Sequence, residues 1–173
     1  MEKARRGRTG LDVVLSVLVL LVAALCVLGG LDVYRTHGER ADAAVQQERY
    51  GAVLAAATAE AEAFINIDYR HAQESIAGVA RGATGKFRQQ YDTSSEGVTR
   101  VLRRNRSVMD GKVVSAGVVD VGRDSATVIV ATSGTVANTR TGNKPVERSY
   151  RLQLHLVRAG GRWLTSDLQF VGQ

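Results

Sequence analysis

One cysteine, one tryptophan and three histidines in 173 residues leave little for several large classes of chemistry. Cys26 stands alone in the middle of an apolar run, so neither a disulfide within the chain nor a cysteine-based metal site can form. No two of His37, His71 and His155 are four residues apart, which removes the helical His-Glu-x-x-His zinc pattern. His37 falls in a polar stretch beside Gly38, and His155 alternates onto the outward side of a strand. His71, in "DYRHAQE", has Asp68 and Glu74 within one helical turn and could be oriented by either. A helix-start histidine flanked by acids is more often solvated or capping, and a catalytic dyad needs geometry that spacing does not supply. The nucleophile elbow, the phosphate-binding loop and the dinucleotide-binding glycine fingerprint are all missing. Ser94, Ser95, Ser107 and Ser115 have no histidine beside them in sequence. Paired carboxylates could be drawn from Asp110, Asp120, Asp124 and Asp167, of which Asp124 sits in the turn-forming "GRDS". The expectation is a protein that is not an enzyme, with no cofactor and no resident metal.

Aromatic residues are also scarce, at 5%, so the core must be built from Val, Leu, Ile and Ala, with each aromatic a packing anchor. The formal charge is +6, but half of it lies in the first ten residues, where Lys3, Arg5, Arg6 and Arg8 face only Glu2. The densest later cluster, "RVLRRNR", reads as cations at a helix C-terminus facing the negative end of its dipole. No basic stripe interleaved with aromatics is present, so nucleic acid is not an expected partner. The length allows one folded domain with an accessory segment.

That segment is at the N-terminus. Val13 to Leu31 is uncharged, bounded by Asp12 and Asp32, and as a helix would span about 28 Å, the thickness of a bilayer core. Signal-peptide apolar regions are shorter, about 7 to 15 residues, and end in small residues, whereas this run exits through "GGLDVY". A lipoprotein signal normally has a small residue before the modified cysteine, and here Leu25 is there. The reading is an uncleaved single span. The cationic N-terminus places it inside and the rest outside, with Tyr34 at the interface. Four regions follow: a cytoplasmic basic tail (1–10), a transmembrane helix (11–33), a stalk or helical linker (34–52) and an extracytoplasmic domain (53–173).

Within the exported part, residues 41–67 are rich in Ala and Glu, and Val53, Ala57, Ala61 and Phe64 form one apolar stripe of a long helix. A short second helix carries Ala72, Ile76, Val79 and Ala80, with Gly82 and Gly85 as stops. Thr84 caps a third, on which Phe87, Tyr91, Val98 and Leu102 share a face and which Asn105 to Gly111 closes. The period then changes to two. Val113–Val121, Ala126–Val136, Val146–Arg158 and Arg162–Phe170 read as strands joined by "GRDS", "NTRTGNKP" and "AGG". Tyr150, Leu152, Leu154 and Leu156 alternate with Arg151, Gln153 and His155, giving a strand with one wet face. The predicted fold class is α+β: about three helices packed on a curved four-stranded antiparallel sheet. In the last strand Leu164, Leu168 and Phe170 are expected to face the helices, with Trp163 and Asp167 on the other side unless a bulge intervenes.

In this order, behind one membrane span, "IDY", "ATGKF", "SAGVV", "SATVIV", the "YRL" strand and the terminal "GRWL.SDL" resemble the Mce-associated membrane proteins of actinobacteria, from about Val53 to Val171. The resemblance implies a cone-like, nuclear-transport-factor-like exported domain. It also implies an accessory role beside Mce lipid importers, whose MCE-domain proteins and permeases would be the partners. Related cones in small isomerases and cyclases use an Asp with a His or Tyr, for which Asp68, Tyr69 and Tyr91 would be the local candidates. Exported assembly domains of type IV secretion systems are a third comparison. The residues expected to line a core or pocket are Phe64, Tyr69, Phe87, Tyr91, Leu152, Leu154, Trp163 and Phe170. The bilayer itself, an apolar lipid ligand and a second copy of the chain complete the expected partners. A reporter that fluoresces only in the cytoplasm, fused after Gln173, is expected to stay dark; fluorescence would reverse the orientation.

Overall fold

The computed structural model describes residues 43–172, so the basic tail, the apolar run and the first part of the expected stalk lie outside the described residues. Among the described residues no helix is long and apolar enough to cross a membrane. The compact unit is Glu48–Gln173.

Helix α1 covers residues 43–65. Its first turns are solvent-facing, with Val45 and Tyr50 exposed, and from Val53 onward it buries a stripe of small side chains: Val53, Ala57 and Ala61 are fully inaccessible and Ile65 nearly so. Asn66 ends the helix in a specific way. Its Nδ2 donates to the carbonyls of Glu62 and Gly111, each at 2.9 Å, while its Oδ1 accepts from the Gly111 amide at 3.0 Å. The asparagine thus satisfies a helix-end carbonyl and continues the hydrogen bonding of a strand.

A two-residue strand, β1 (Ile67–Asp68), follows, then a 3-10 turn (Tyr69–His71), α2 (Ala72–Gly82) and α3 (Gly85–Asn105). Helix α2 buries Ala72, Ile76 and Val79, close to the expected set. Thr84 occupies the N-cap position of α3 in extended backbone. Arg106 closes that helix in the left-handed region at φ 49°, and Val108 already belongs to the next strand. Only Thr99 of α3 is buried, so this helix lies over the others rather than within the core.

The sheet is a meander in the order β1-β2-β3-β4-β5, every pair antiparallel, with β2 (Val108–Val121), β3 (Ser125–Ala137), β4 (Val146–Ala159) and β5 (Arg162–Phe170). It therefore has five strands and not four. The missed strand, β1, pairs Ile67 with Met109 and Asp68 with Val108, and two residues are too few to show a period. Strands β3 and β4 pair without interruption from Ser125↔Val157 to Val136↔Val146. That register sets Ala126, Val128 and Val130 beside Leu156, Leu154 and Leu152, all buried, and this face meets the α1 stripe in one core. Each fully buried Leu or Val here contributes about 1.5–3 kcal/mol of transfer free energy.

Irregularities bend the sheet. Strand β2 has register shifts at Val113/Ser115 and Val118/Asp120, and the intervening Val114 and Val119 are 62% exposed. Strand β5 has one between its pairings to His155 and Leu156, at Ser166. This bulge corrects the expected parity of the last strand. Thr165 pairs with Leu156, both buried, and Trp163 pairs with Arg158 two positions on, so Trp163 and Thr165 lie on the core side with Leu168. Leu164 pairs with Val157 on the opposite parity. Trp163 and Asp167, expected on one face, are separated by the bulge.

In the β2–β3 pairing, Gly111 faces Gly134. A Cβ on Gly134 would lie 2.3 Å from the Asp110 carbonyl oxygen and 2.5 Å from the Gly111 Cα. Both obstacles are backbone, so Gly134→Ala is expected to cost about 1–3 kcal/mol, the range for forced overpacking, read as a lowered midpoint in chemical denaturation.

Candidate functional site

Helix α1 turns two adjacent stripes to its surroundings. One is the core stripe. The other, Ala52, Ala56, Ala59 and Ala63, forms a wall of an open cleft of about 500 Å³, completed by Gly78, Arg81 and Gly82 of α2 and by Gly161 to Leu164 at the β4–β5 turn. Between the stripes, at the floor, sits Glu60. It is 3% exposed, and its Oε1 accepts no hydrogen bond. A Cβ added to Gly82 would fall 1.7 Å from Glu60 Oε2, so only glycine lets the carboxyl occupy this place. The next residue, Ala83, bridges to Thr165, whose carbonyl accepts from the Thr84 amide at 2.8 Å. Thr165 Oγ1 is also buried without a partner. The end of α2, the middle of α1 and β5 thus converge on one corner that holds two unpaired polar groups.

Burial pushes the Glu60 carboxyl up to about 7. The two ion pairs among the described residues are Arg70–Asp68 and Arg88–Asp92, and neither engages it. Tyr91 of α3 is close enough to feel its charge; burial first and Glu60 second push that phenol up to about 12. Near neutral pH the carboxyl is shared between a form that donates a hydrogen bond and a form that only accepts. A second groove, of about 710 Å³, lies between α2 and α3 and is lined by Ile76, Ala80, Tyr91 and Thr99 with Arg81, Arg88 and Arg100. Arg81 borders both spaces.

The residues singled out in the sequence are dispersed among several environments. Leu152 and Leu154 are fully buried in the core. Phe64 and Tyr150 flank Phe170, with ring centroids 5.9 and 5.6 Å away, and Phe170 is itself 49% exposed at the end of β5. Phe87 meets Tyr91 edge to face at 5.1 Å. Trp163, half-buried, packs on the core and lines the cleft, whereas Tyr69 lies in the 3-10 turn.

Asp68, considered as a partner for His71 or for a cone-type active site, is committed elsewhere. It caps the 3-10 turn, accepting from the Arg70 amide at 2.9 Å and from the Arg70 guanidinium, and those hydrogen bonds hold its carboxyl at about 2. His71 is exposed beside it. His155 is on the outer sheet face, 3.2 Å from Thr127 Oγ1 and 3.0 Å from Gln153 Nε2. Opposite it, Asp167 accepts from Gln169 Nε2 at 2.6 Å. Among the described residues no group of three or more His, Cys, Asp or Glu is placed to hold a metal.

Sequence reasoning missed Glu60, although a signal was there. It is seven residues after Val53 and three after Ala57, which sets it on the border of the apolar stripe, while Glu62 is exposed.

The model of the family described as "Uncharacterized protein Rv1363c/MT1408-like" matches residues 12–172. The chain belongs to this family. It is 28% identical over 153 residues, 88% of its length, to the uncharacterized protein Rv1363c of Mycobacterium tuberculosis, and spans 57% of that relative. Among solved structures it is similar to the periplasmic domain of DotI (TM-score 0.58, 12% identity, 71% of this chain and 95% of that one). It is also similar to an IcmL-like type IV secretion system protein of Legionella pneumophila (0.53, 12%, 68% and 88%). A ketosteroid isomerase-like protein of Erwinia carotovora atroseptica matches as well (0.53, 22%, 73% and 98%). At these identities the likeness concerns the fold: helices on a curled antiparallel sheet, shared by isomerase-like and secretion-type domains.

The raised carboxyl has a consequence for stability. In the unfolded chain Glu60 ionises near its ordinary 4.5, in the folded one near 7, so between these values the folded state binds more protons and stability falls as pH rises. Above pH 7 the full cost is about 3 kcal/mol. Glu60→Gln is therefore expected to match the parent near pH 4.5 and to be more stable by up to about that amount at pH 8. Denaturation at both pH values checks this, and an equal gap at both would contradict it.

Proposed function

We propose that this protein is a non-enzymatic, membrane-anchored accessory subunit that stabilises or assembles an Mce-type lipid import complex in the cell envelope. The observation that carries this reading is the extent of the family match, residues 12–172, which takes in both the apolar segment and the folded domain. An N-terminal span with a basic inner flank puts the domain outside the cytoplasm, and two domains of similar fold are described as periplasmic and as part of a type IV secretion system. The docking surface is the free edge of β2. Strand β1 covers Val108 and Met109 and the Asn66 side chain takes the amide and carbonyl of Gly111, and beyond these the bulged Val114 and Val119 stand exposed on an edge that no further described strand covers. The Mce assignment itself rests on the sequence resemblance.

A second reading is a cone-shaped lipid-binding or small isomerase- or cyclase-like domain, and its enzymatic form is favoured by one observation: a buried carboxyl pushed up to about 7 within electrostatic reach of Tyr91. A general secretion-type assembly factor is the third. Affinity purification of the full chain from native membranes separates them. Recovery of an MCE-domain protein or a permease, lost in a Val114→Asp/Val119→Asp variant of unchanged thermal midpoint, is the expected result. Secretion components in their place would support the third reading, and capture of none of these would end the accessory role.

A further inference from the structure

We propose that the cleft between α1, α2 and the β4–β5 turn is a binding site for a compact uncharged molecule with an apolar body and a hydroxyl head, the head bound by Glu60. This inference is independent of the accessory role. It starts from the orphaned oxygen. A buried acceptor without a partner costs about 1–3 kcal/mol, and Glu60 carries one in Oε1, inaccessible beneath the surface of a cleft that the residue itself lines and that is large enough for a small ligand. An occupant that donates to the Glu60 carboxyl, turned about its terminal torsion to meet the cleft, offsets that cost, which a purely hydrocarbon occupant cannot.

The walls define the rest of the molecule. On one side are the methyl groups of α1 and on another the half-buried Trp163, which suit an apolar body against an aromatic surface, while Glu60, Arg81 and Arg162 make the remainder of the lining polar. Gly82 and Gly161 keep the floor and the turn open, and a side chain at residue 82 would collide with the carboxyl itself. The charge of the head follows from the neighbours. Arg81 and Arg162 both line the cleft, and they disfavour an ammonium. A carboxylate would be placed against Glu60 whenever that group is ionised. A neutral hydroxyl satisfies the carboxyl in either state, donating to the ionised form and exchanging roles with the protonated one.

Trp163 is the one tryptophan of the sequence and lines this cleft while packing on the core, so its emission, with the scaffold signal of empty nanodiscs subtracted, reports on an occupant. The full chain in lipid nanodiscs, with empty nanodiscs as the partition control, is titrated with four probes that share one rigid body: adamantane, 1-adamantanol, adamantane-1-carboxylate and 1-adamantylamine. The expected result is a saturable change in Trp163 emission with the alcohol, at an affinity at least tenfold above that for the hydrocarbon and the amine. Glu60→Leu should remove that preference, and Glu60→Gln, which keeps a hydrogen-bonding head, should retain it within about threefold. Three results would overturn the proposal: no saturable change with the alcohol, equal binding of hydrocarbon and alcohol, or tighter binding of the amine or the carboxylate. The probe series is read in the parent protein and stands even if the leucine variant fails to fold.

Discussion

Everything else in the domain is attached to one seam, the contact of the α1 stripe with the inner face of β3 and β4. Val53, Ala57, Ala61 and Ile65 on the helix meet Ala126, Val128, Val130, Leu152, Leu154 and Leu156 on the strands, and all are buried. The division of labour is physical. The helix contributes small side chains, which let its backbone come close, and the strands contribute the bulk. Because β3 and β4 pair without a break, their inward sets stay in step along the whole seam. The irregular pieces lie around it: the bulges of β2, the bulge of β5 and the two-residue β1, which Asn66 steers into place.

The same seam carries the cost that marks the candidate site. A helix with a stripe this narrow has little room beside it, and Glu60 falls on its border, buried but without a partner. Two features make the position tolerable: a glycine at residue 82, where a side chain would collide, and a carboxyl that takes up a proton near neutrality. A buried unpartnered group persists in a folded protein when something offsets it elsewhere, and such groups concentrate where proteins bind or react. The fold itself does not discriminate, since isomerase-like and secretion-type domains share it. The corner where α1, α2 and β5 converge is where this chain has chemistry of its own.

Much of this architecture is legible in the residues. The 3.6-residue period of Val53, Ala57 and Ala61, the helix boundaries at Gly82 and Thr84 and the alternation from Tyr150 to Leu156 are local signals, and the elements lie where those signals put them, although the Thr84 side chain makes no capping hydrogen bond. The failures share a cause. Strand β1 is too short to carry a period, and it exists only because Val108 and Met109 offer it a partner. The bulge at Ser166 is invisible in a run of alternating residues, and it moves Trp163 and Thr165 to the core side while leaving Asp167 outside. Asp68 looked like a partner for His71 and is instead held by Arg70, two residues away, because a cap and an ion pair outcompete a solvated imidazole.

By itself, then, the sequence determined the class of the fold, the order of its helices and long strands, and the motif-based chemistries that one cysteine and three scattered histidines cannot perform. These follow from periodicity and composition, which are properties of neighbours along the chain. Only the tertiary structure decided which polar group would be stranded. Whether Glu60 meets water or an apolar wall depends on Gly82, Arg81 and Trp163, which arrive from other elements, and desolvation is a property of everything within a few ångströms, whatever its place in the sequence.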